Sequence, residues 1–484
     1  MTEDTLDATD LINLIAQGTV SPEAALDAAL ERTRTRNPAI NAVVSLFETE
    51  ARRAIAEGLP DGPLRGLPFL LKDLGAESRE YPASGGSRLF QGARYPADGA
   101  IVARLKAAGA VIFGRTSTPE GGIGIATEAA VYGGPTRNPW NLDHTPGGSS
   151  GGAAAAVAAS IVPAAHGSDG GGSVRVPASC TGLVGFKPTR ARLPDGPYSG
   201  EGWAGMAIDG FLTRSLRDTA LLLDLTAGPD PGAPYHAPPM ACSYHAALAR
   251  RPARLKIALC DTTLTGGAIS PECRDAVGAA GDLLETLGHT VEPAAPLQAS
   301  TDAMMRAWVD IVACGLALSV RQKCASRGRP LQDGELEPVA MGALAHARGI
   351  DGPRYLEAVE TVHDYGREMA GFFEDWDILL TSTLAEPPAK IGRFDHSNPD
   401  FLDYRLGPTG IYPYSPFAAA FNATGQPAVS LPLAVSDGGL PIGIHLAARF
   451  GDDALLMSLA AQIEEAAPWA HRHPSQERRT TIPR

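Results

Sequence analysis

The chain has 484 residues, of which 44% are hydrophobic and 20% are charged, as is ordinary for a soluble globular protein. Its 41 basic and 54 acidic residues give a net charge of −13, which argues against a nucleic-acid-coating surface and favours neutral or cationic small partners. The six cysteines include no Cys-x-x-Cys pair, so reduced thiols are favoured over a zinc ribbon or a redox site. The acidic N-terminus lacks the pattern of a signal peptide, and no stretch is typical of a membrane span. We therefore expect a cytoplasmic protein that binds neither membrane nor nucleic acid.

Helices and short apolar strands alternate along the first part of the chain. Residues 5–58 are predicted to be helical, with Ser21 as an N-cap. The apolar run within 62–75, bounded by glycine and proline, predicts a buried strand. Residues 98–118 predict an amphipathic helix followed by an apolar strand at 110–114. A helix followed by a fully apolar strand favours a mainly parallel sheet that is covered on both faces.

The second part repeats this alternation. Strands are predicted at 253–260 and 375–388, and a helix at 271–288. Residues 427–448 predict a hairpin, because two apolar runs flank a Ser-Asp-Gly-Gly turn. The Pro-, Ala- and His-rich segment 226–254 is interpreted as a surface connection, since the apolar strands on both sides of it look alike.

Two glycine-wrapped serines are the most conspicuous local feature: GGSSGG at 147–152 and GSDGGGSVRVPA at 167–178. A phosphate-binding P-loop is excluded because the dipeptide Gly-Lys is absent from the chain. The Gly-x-Ser-x-Gly pattern around Ser149 resembles a hydrolase nucleophile elbow, but that elbow must follow a strand, whereas a loop precedes Ser149. None of the C-terminal histidines is a convincing partner base.

A lysine offers an alternative base. Lys72 directly follows the apolar run Pro68-Phe69-Leu70-Leu71, and burial there would lower its pKa and leave a neutral amine. Pairing with Asp73 or extension to the surface is an equally good interpretation of Lys72 taken alone. A second serine can relay a proton between such a base and a serine nucleophile. The four successive N–H groups of residues 170–173 can supply an oxyanion hole.

This combination resembles the amidase signature family. The resemblance rests on GLPFLLKD at 66–73, on the two serine motifs, and on further segments that extend over nearly the whole chain. It implies an α/β fold in which a large mixed, mostly parallel twisted sheet is sandwiched by helices. It also implies one domain over 1–484, with the following parts: a helical N-terminal part at about 1–60, a catalytic core at about 61–225, a variable substrate-shaping part at about 255–420, and closing strands and a helix at about 421–470.

The resemblance implies the roles of the motif residues. Ser173 is the expected acyl-forming nucleophile, Ser149 the relay serine in a cis-peptide setting, and Lys72 the base. The resemblance further implies the oxyanion hole and three supporting residues. The expected hole consists of Gly170, Gly171, Gly172 and Ser173, and the expected supporting residues are Ser150, Asp169 and Arg175. No cofactor and no metal are expected.

Some positions depart from the usual family pattern. Gly170 stands where Thr or Ile is common, and Ser117 replaces a frequent Asn. Gly122 and Gly124 stand where many members carry larger residues, so we expect them to contribute to a roomy substrate pocket. The segment 311–322 resembles branches of the family that cleave bulky or non-natural amides, and on that basis Cys314 is a candidate substrate contact. A buried helix cysteine without a role is at least as good an interpretation.

These observations predict an amide hydrolase that forms an acyl-enzyme and also cleaves esters and, by the same chemistry, carbamates. Its expected partner is a small-molecule amide, and the resemblance allows a homodimer. Two alternatives stay open: the A-type subunit of a glutamine-dependent amidotransferase, and a non-catalytic binding protein that keeps the fold. The physiological substrate is not encoded in any motif of the sequence.

Overall fold

The computed structural model describes residues 6–296 and 300–474. Its centre is one sheet of eleven strands, in the spatial order β1-β3-β2-β4-β6-β5-β10-β11-β9-β7-β8. The strands are β1 Val43–Leu46, β2 Pro68–Lys72, β3 Val111–Thr116, β4 Ala164–Asp169, β5 Val184–Lys187, β6 Ile208–Thr213, β7 Lys256–Leu259, β8 Thr290–Pro293, β9 Ile378–Ser382, β10 Ala428–Val435 and β11 Pro441–Ala448.

Helices cover the sheet. Several begin as their sequences predict: the hydroxyl of Ser21 accepts a hydrogen bond from the N–H of Ala24, and Pro22 is the first helical residue. The α-helices are α1 Ala8–Ala16, α2 Pro22–Ile40, α3 Glu48–Glu57, α4 Ala100–Ala107, α5 Gly151–Ala158, α6 Arg175–Thr181, α7 Leu216–Thr226, α8 Tyr244–Leu248, α9 Pro271–Thr286, α10 Thr301–Ser326, α11 Pro338–Ala347, α12 Gly352–Asp375, α13 Phe401–Leu406, α14 Ile411–Tyr414, α15 Ala418–Thr424 and α16 Asp453–Ala466.

The α/β class and the large mixed sheet are confirmed, but the expectation of mostly parallel pairing is wrong. Of the ten strand pairs, four are parallel and six are antiparallel. The antiparallel pairs concentrate in the middle of the sheet, where β6, β5, β10 and β11 separate the two parallel regions. Fully apolar strands are buried on both faces in either orientation, so their composition did not distinguish the two.

The predicted C-terminal hairpin is confirmed as β10 and β11, which pair antiparallel. The prediction that 5–58 is helical throughout is wrong at β1, which pairs antiparallel with β3. Asn41 ends α2 in the left-handed conformation with φ of 50°, and the side chain of Asn37 accepts hydrogen bonds from the N–H groups of Ala42 and Val43. These local contacts turn the chain into the short strand.

The sheet brings the predicted motifs to one edge. β2 lies between β3 and β4 and runs parallel to both, so the C-terminal ends of the three strands lie at the same edge. Lys72 is the last residue of β2, and Ser168 and Asp169 end β4. Because ligands bind outside the carboxyl ends of such strands, this edge is where a site is expected.

Residues of helix α10 line the space next to this edge of the sheet. By length and composition it is apolar enough to cross a bilayer, and it is the one such helix among residues 6–296 and 300–474. Here it packs against α11, α12 and α15, and its residues Trp308 and Leu316 line the cavities described below. Its apolar character is thus explained by burial within the protein.

Candidate active site

Lys72 is completely buried at the end of β2. Its Nζ lies 2.7 Å from Ser149 Oγ and 2.9 Å from Ser168 Oγ. Burial lowers the pKa of Lys72 to about 7, although the negative charges of Asp209 and Asp169 oppose the shift. The amine can therefore accept or release a proton near neutral pH. Asp73 does not pair with Lys72: its carboxylate accepts hydrogen bonds from Ser84 and Tyr132.

Ser149 lies in the loop before α5, and the peptide bond between Gly148 and Ser149 is cis. Gly122 approaches it closely, since a Cβ at that position would lie 3.4 Å from Ser149 Oγ. Ser150 supports the loop from behind. Its hydroxyl donates to the carbonyl of Ser168 and accepts from the N–H of the same residue, while its own N–H donates to the carbonyl of Ser173.

Asp169 and Arg175 brace the second glycine loop as the resemblance implies. Arg175 donates through Nε and Nη2 to the two carboxylate oxygens of Asp169, at 3.0 and 2.9 Å. The Asp169 carboxylate also accepts from the N–H groups of Gly172 and Val174 and from the side-chain amide of Asn422. Arg175 and these donors hold the pKa of Asp169 well below its usual range despite its burial. A satisfied buried network of this kind fixes the position of the loop.

The four predicted oxyanion-hole N–H groups are not equivalent. The N–H of Gly172 already donates to Asp169 Oδ1 at 2.7 Å. The expectation that Gly172 belongs to the oxyanion hole is therefore wrong. Within the described part of the chain, the N–H groups of Gly170, Gly171 and Ser173 have no hydrogen-bond acceptor. These three are the groups that can face a developing negative charge.

Ser173 is partly exposed and lies between two cavities. The large cavity, of about 610 Å³, is lined by Ser149, Ser168 and Ser173 and extends to the carboxylates of Glu77, Asp195 and Asp209. Burial and the surrounding negative charges raise the pKa of Asp195 to about 8, and burial also raises the pKa of Glu77. The large cavity therefore has room for a bulky ligand, and its lining includes both acidic side chains and the basic side chains of Arg94 and Lys323.

The small cavity, of about 40 Å³, lies on the other side of Ser173. Gly122 borders both cavities and Gly124 borders the small one, so both predicted glycines lie at the site. Bulky side chains fill the space next to the glycine loop: a Cβ at Gly170 would lie 2.5 Å from Trp203, and a Cβ at Gly171 would lie 2.8 Å from Trp308. Glycine at these positions lets the backbone approach the aromatic rings.

The predicted substrate contact at Cys314 is not found. Cys314 is partly buried on α10 but lines neither cavity, whereas the next two residues, Gly315 and Leu316, line the large one. One position along a helix rotates a side chain by about 100°, and the sequence did not fix that rotation. Tyr412 lines the small cavity, whereas Tyr414 is buried and lines neither cavity.

Ser168, His166 and Asp209 form part of the site but were not singled out from the sequence. Ser168 contacts the Lys72 amine directly. His166 Nδ1 accepts from the N–H of Lys72, and its Nε2 therefore carries the proton and faces Asp209 Oδ1 at 3.1 Å. The sequence could have indicated His166 and Ser168, because alternate residues of a strand such as β4 lie on the same face.

The chain matches the Amidase family model over residues 24–457. It is 36% identical to 6-aminohexanoate-cyclic-dimer hydrolase of Paenarthrobacter ureafaciens over 476 residues, which cover 97% of this chain and 96% of that protein. The solved structure of 6-aminohexanoate cyclic dimer hydrolase complexed with substrate superposes with a TM-score of 0.92 at 34% identity, covering 97% and 99% of the two chains.

A second solved structure, a bacterial aryl acylamidase of the amidase signature family, superposes with a TM-score of 0.87 at 28% identity and covers 99% of each chain. The resemblance inferred from the lysine and serine motifs is thus confirmed over nearly the full length, and the similar proteins include 6-aminohexanoate-cyclic-dimer hydrolases. The chain belongs to the amidase signature family and is a hydrolase of carbon–nitrogen bonds other than peptide bonds.

Proposed function

We propose that the protein hydrolyses a bulky amide through a Ser173–Ser149–Lys72 triad and an acyl-enzyme intermediate. The observation that carries the proposal is the 2.7 Å contact between Lys72 Nζ and Ser149 Oγ, at a cavity that Ser173 also lines. A serine hydroxyl is a weak nucleophile and needs a base within hydrogen-bond reach, directly or through a relay. A neutral Lys72 amine supplies that base.

In the acylation step, Ser173 Oγ attacks the amide carbonyl carbon as its proton passes to Ser149 Oγ. The Ser149 proton passes to Lys72 at the same time, so the lysine becomes an ammonium. The carbonyl oxygen gains negative charge and is stabilised by the free N–H groups of Gly170, Gly171 and Ser173. Collapse of the tetrahedral intermediate breaks the carbon–nitrogen bond, and the proton returns from Lys72 through Ser149 to the leaving amine.

In the deacylation step, water replaces the amine. Its proton follows the same route through Ser149 to Lys72, the hydroxide oxygen bonds to the acyl carbon, and the proton returns to Ser173 as the acid leaves. The same sequence applies to esters and carbamates, because both pass through a similar tetrahedral intermediate. Ester cleavage is expected to be faster, since an ester carbonyl is less stabilised by resonance than an amide carbonyl and is attacked more readily.

The two cavities support an assignment of the two halves of the substrate. Ser149 returns the proton to the leaving amine and lines the large cavity but not the small one. The large cavity therefore receives the amine, and its volume of about 610 Å³ suits a bulky group.

The test is to trap the acyl-enzyme. Intact mass is measured after brief exposure to a series of activated acyl p-nitroanilides, with wild type, Ser173→Ala and Ser319→Ala. Ser319 is the matched control, because it lines the same cavity but donates to the carbonyl of Gly315. We expect one acyl adduct on wild type and on Ser319→Ala and none on Ser173→Ala. An adduct that survives in Ser173→Ala would overturn the assignment, and the absence of adduct and turnover with every amide would overturn the hydrolase proposal.

A further inference from the structure

The small cavity beside Ser173 contains polar groups that the mechanism does not use. Its volume of about 40 Å³ holds roughly three water-sized groups, at about 10–15 Å³ for each. Its walls are largely apolar, with Ile125, Val176 and Met305 among them. Besides Ser173, the polar side chains of Arg405, Tyr412 and Ser415 line it, whereas no carboxylate does among the residues that the structure describes.

Arg405, on α13, is 7% exposed. Its Nη1 donates to the carbonyl of Ile123 at 2.6 Å, and its guanidinium lies 4.2 Å from the centre of the Trp308 ring. Within 6–296 and 300–474, no Asp or Glu forms an ion pair with it. Burial lowers its pKa only to about 10, so it remains a cation at neutral pH. A buried cation without an anionic partner is costly, and a ligand carboxylate would offset that cost.

Ser415 is the second, independent observation. It is 4% exposed, and its hydroxyl has no hydrogen-bond partner in the part of the chain that the structure describes. Ser415 is close to the glycine loop, since a Cβ at Gly172 would lie 3.9 Å from its Oγ. Buried hydroxyls are normally paired, so one that faces a cavity next to a nucleophile is available to a ligand.

We propose that the small cavity binds a carboxylate at the end of the acyl chain, so that the substrates are monoamides of short dicarboxylic acids. This inference rests on the proposed function, which assigns the leaving amine to the large cavity and the acyl group to the small one. The guanidinium of Arg405 donates to the carboxylate, and Ser415 Oγ donates a further hydrogen bond. A carboxylate alone has three heavy atoms and would fill the cavity, so the acids with the shortest chains should fit best.

The kinetic test compares acyl p-nitroanilides of equal carbon number, with and without a terminal acid: succinyl with butyryl, glutaryl with pentanoyl, and adipyl with hexanoyl. For at least one pair we expect a higher kcat/KM for the acid-ended substrate. Arg405→Gln is expected to lower the acid-to-neutral ratio of that pair roughly 10- to 100-fold, as the loss of hydrogen bonds to a charged group implies. Arg405→Lys keeps the charge and is expected to lower the ratio less. Ser415→Ala removes a hydroxyl that has no hydrogen-bond partner among the described residues, and it is also expected to lower the ratio.

Arg104→Gln is the matched control. Arg104 is a partly buried arginine whose Nη atoms donate to backbone carbonyls of residues 226–229, and it lines neither cavity. We expect it to leave the ratio unchanged. If wild type prefers the neutral member of every pair, or if Arg405→Gln and Ser415→Ala leave the ratio unchanged, the carboxylate site is overturned while the hydrolase stands.

A binding experiment separates this inference from the proposed function. Succinate, glutarate and adipate are titrated calorimetrically into Ser173→Ala and into Ser173→Ala combined with Arg405→Gln. Binding to the first and roughly 10- to 100-fold weaker binding to the second supports the site, even if no amide is ever cleaved. Absence of binding of all three acids to the first protein would overturn it. Circular dichroism confirms that each variant is folded.

Discussion

Lys72 and Lys187 are alike in nearly every respect except what their amines contact. Each is the last residue of a buried strand, each is buried, and burial lowers the pKa of each to about 7. The Lys72 amine faces the hydroxyls of Ser149 and Ser168 at the large cavity. The Lys187 amine donates to the carbonyl of Pro188 at 2.8 Å and lines neither cavity beside Ser173.

A lowered pKa makes a lysine available as a base, but it does not by itself give that lysine a catalytic role. Burial lowers the pKa of both amines, but of the two only the Lys72 amine contacts serine hydroxyls that line the large cavity. Structural lysines and catalytic lysines can therefore share a pKa, and the neighbour of the amine is what distinguishes them.

The largest expected effect tests this distinction directly. Lys72→Met keeps the length of the side chain and removes the base, so kcat/KM for amides should fall by roughly 10²- to 10⁴-fold. Lys187→Met is the matched control and should change kcat/KM by no more than a few-fold. Steady-state hydrolysis of one anilide by both variants is the measurement. Equal losses in the two variants would mean that burial of the amine, rather than its contact, is what matters.

The next effect concerns the relay. Ser149→Ala removes the hydroxyl that we propose as the relay between Lys72 and Ser173, so kcat/KM should fall by roughly 10²- to 10³-fold. Ser150→Ala is the neighbouring control, because its hydroxyl contacts only the backbone of Ser168, and a loss below about tenfold is expected. The formation rate of the acyl adduct is measured for both. A Ser149→Ala enzyme that acylates at the wild-type rate would exclude Ser149 from the relay.

The pH dependence follows from the lowered pKa of Lys72. The base must be neutral to accept a proton, so kcat/KM should rise with pH and level off above an apparent pKa of about 7. Lys187→Met should retain the same midpoint, although Lys187 has a similar pKa. If the midpoint moves when Lys187 is replaced, Lys187 rather than Lys72 is the group that titrates.

The smallest effect is one of stability, and the two lysines should share it. The folded pKa of each lies below the ordinary value of 10.5, so the unfolded chain binds more protons and stability rises with pH between about 7 and 10.5. Replacing either lysine by Met removes the free-energy cost of burying a protonated amine. We expect Tm at pH 6 to rise by a few degrees in both variants, with the gain shrinking toward pH 10. A gain that stays constant with pH would contradict the linkage.

The sequence distinguished Lys72, the proposed base, from Lys187 only through its motif. Lys72 and Lys187 both follow apolar strands, so composition and periodicity treat them alike, and the family resemblance made the choice. Helix starts were predictable for a local reason: the Ser21 cap and Pro22 act within one turn. Strand orientation was not predictable, because burial on both faces removes the alternation that distinguishes a half-exposed antiparallel strand.

The sequence by itself determined the α/β class, the family, and the choice of Lys72, Ser149 and Ser173 as candidate residues, because these depend on short segments and their order. Tertiary structure decided what each side chain contacts. It joined Lys72 to Ser168 across 96 residues, used the N–H of Gly172 for Asp169, and turned Cys314 away from both cavities. It also brought Arg405 to the carbonyl of Ile123, 282 residues earlier. Such contacts depend on how strands and helices pack, and no local pattern in the chain encodes that packing.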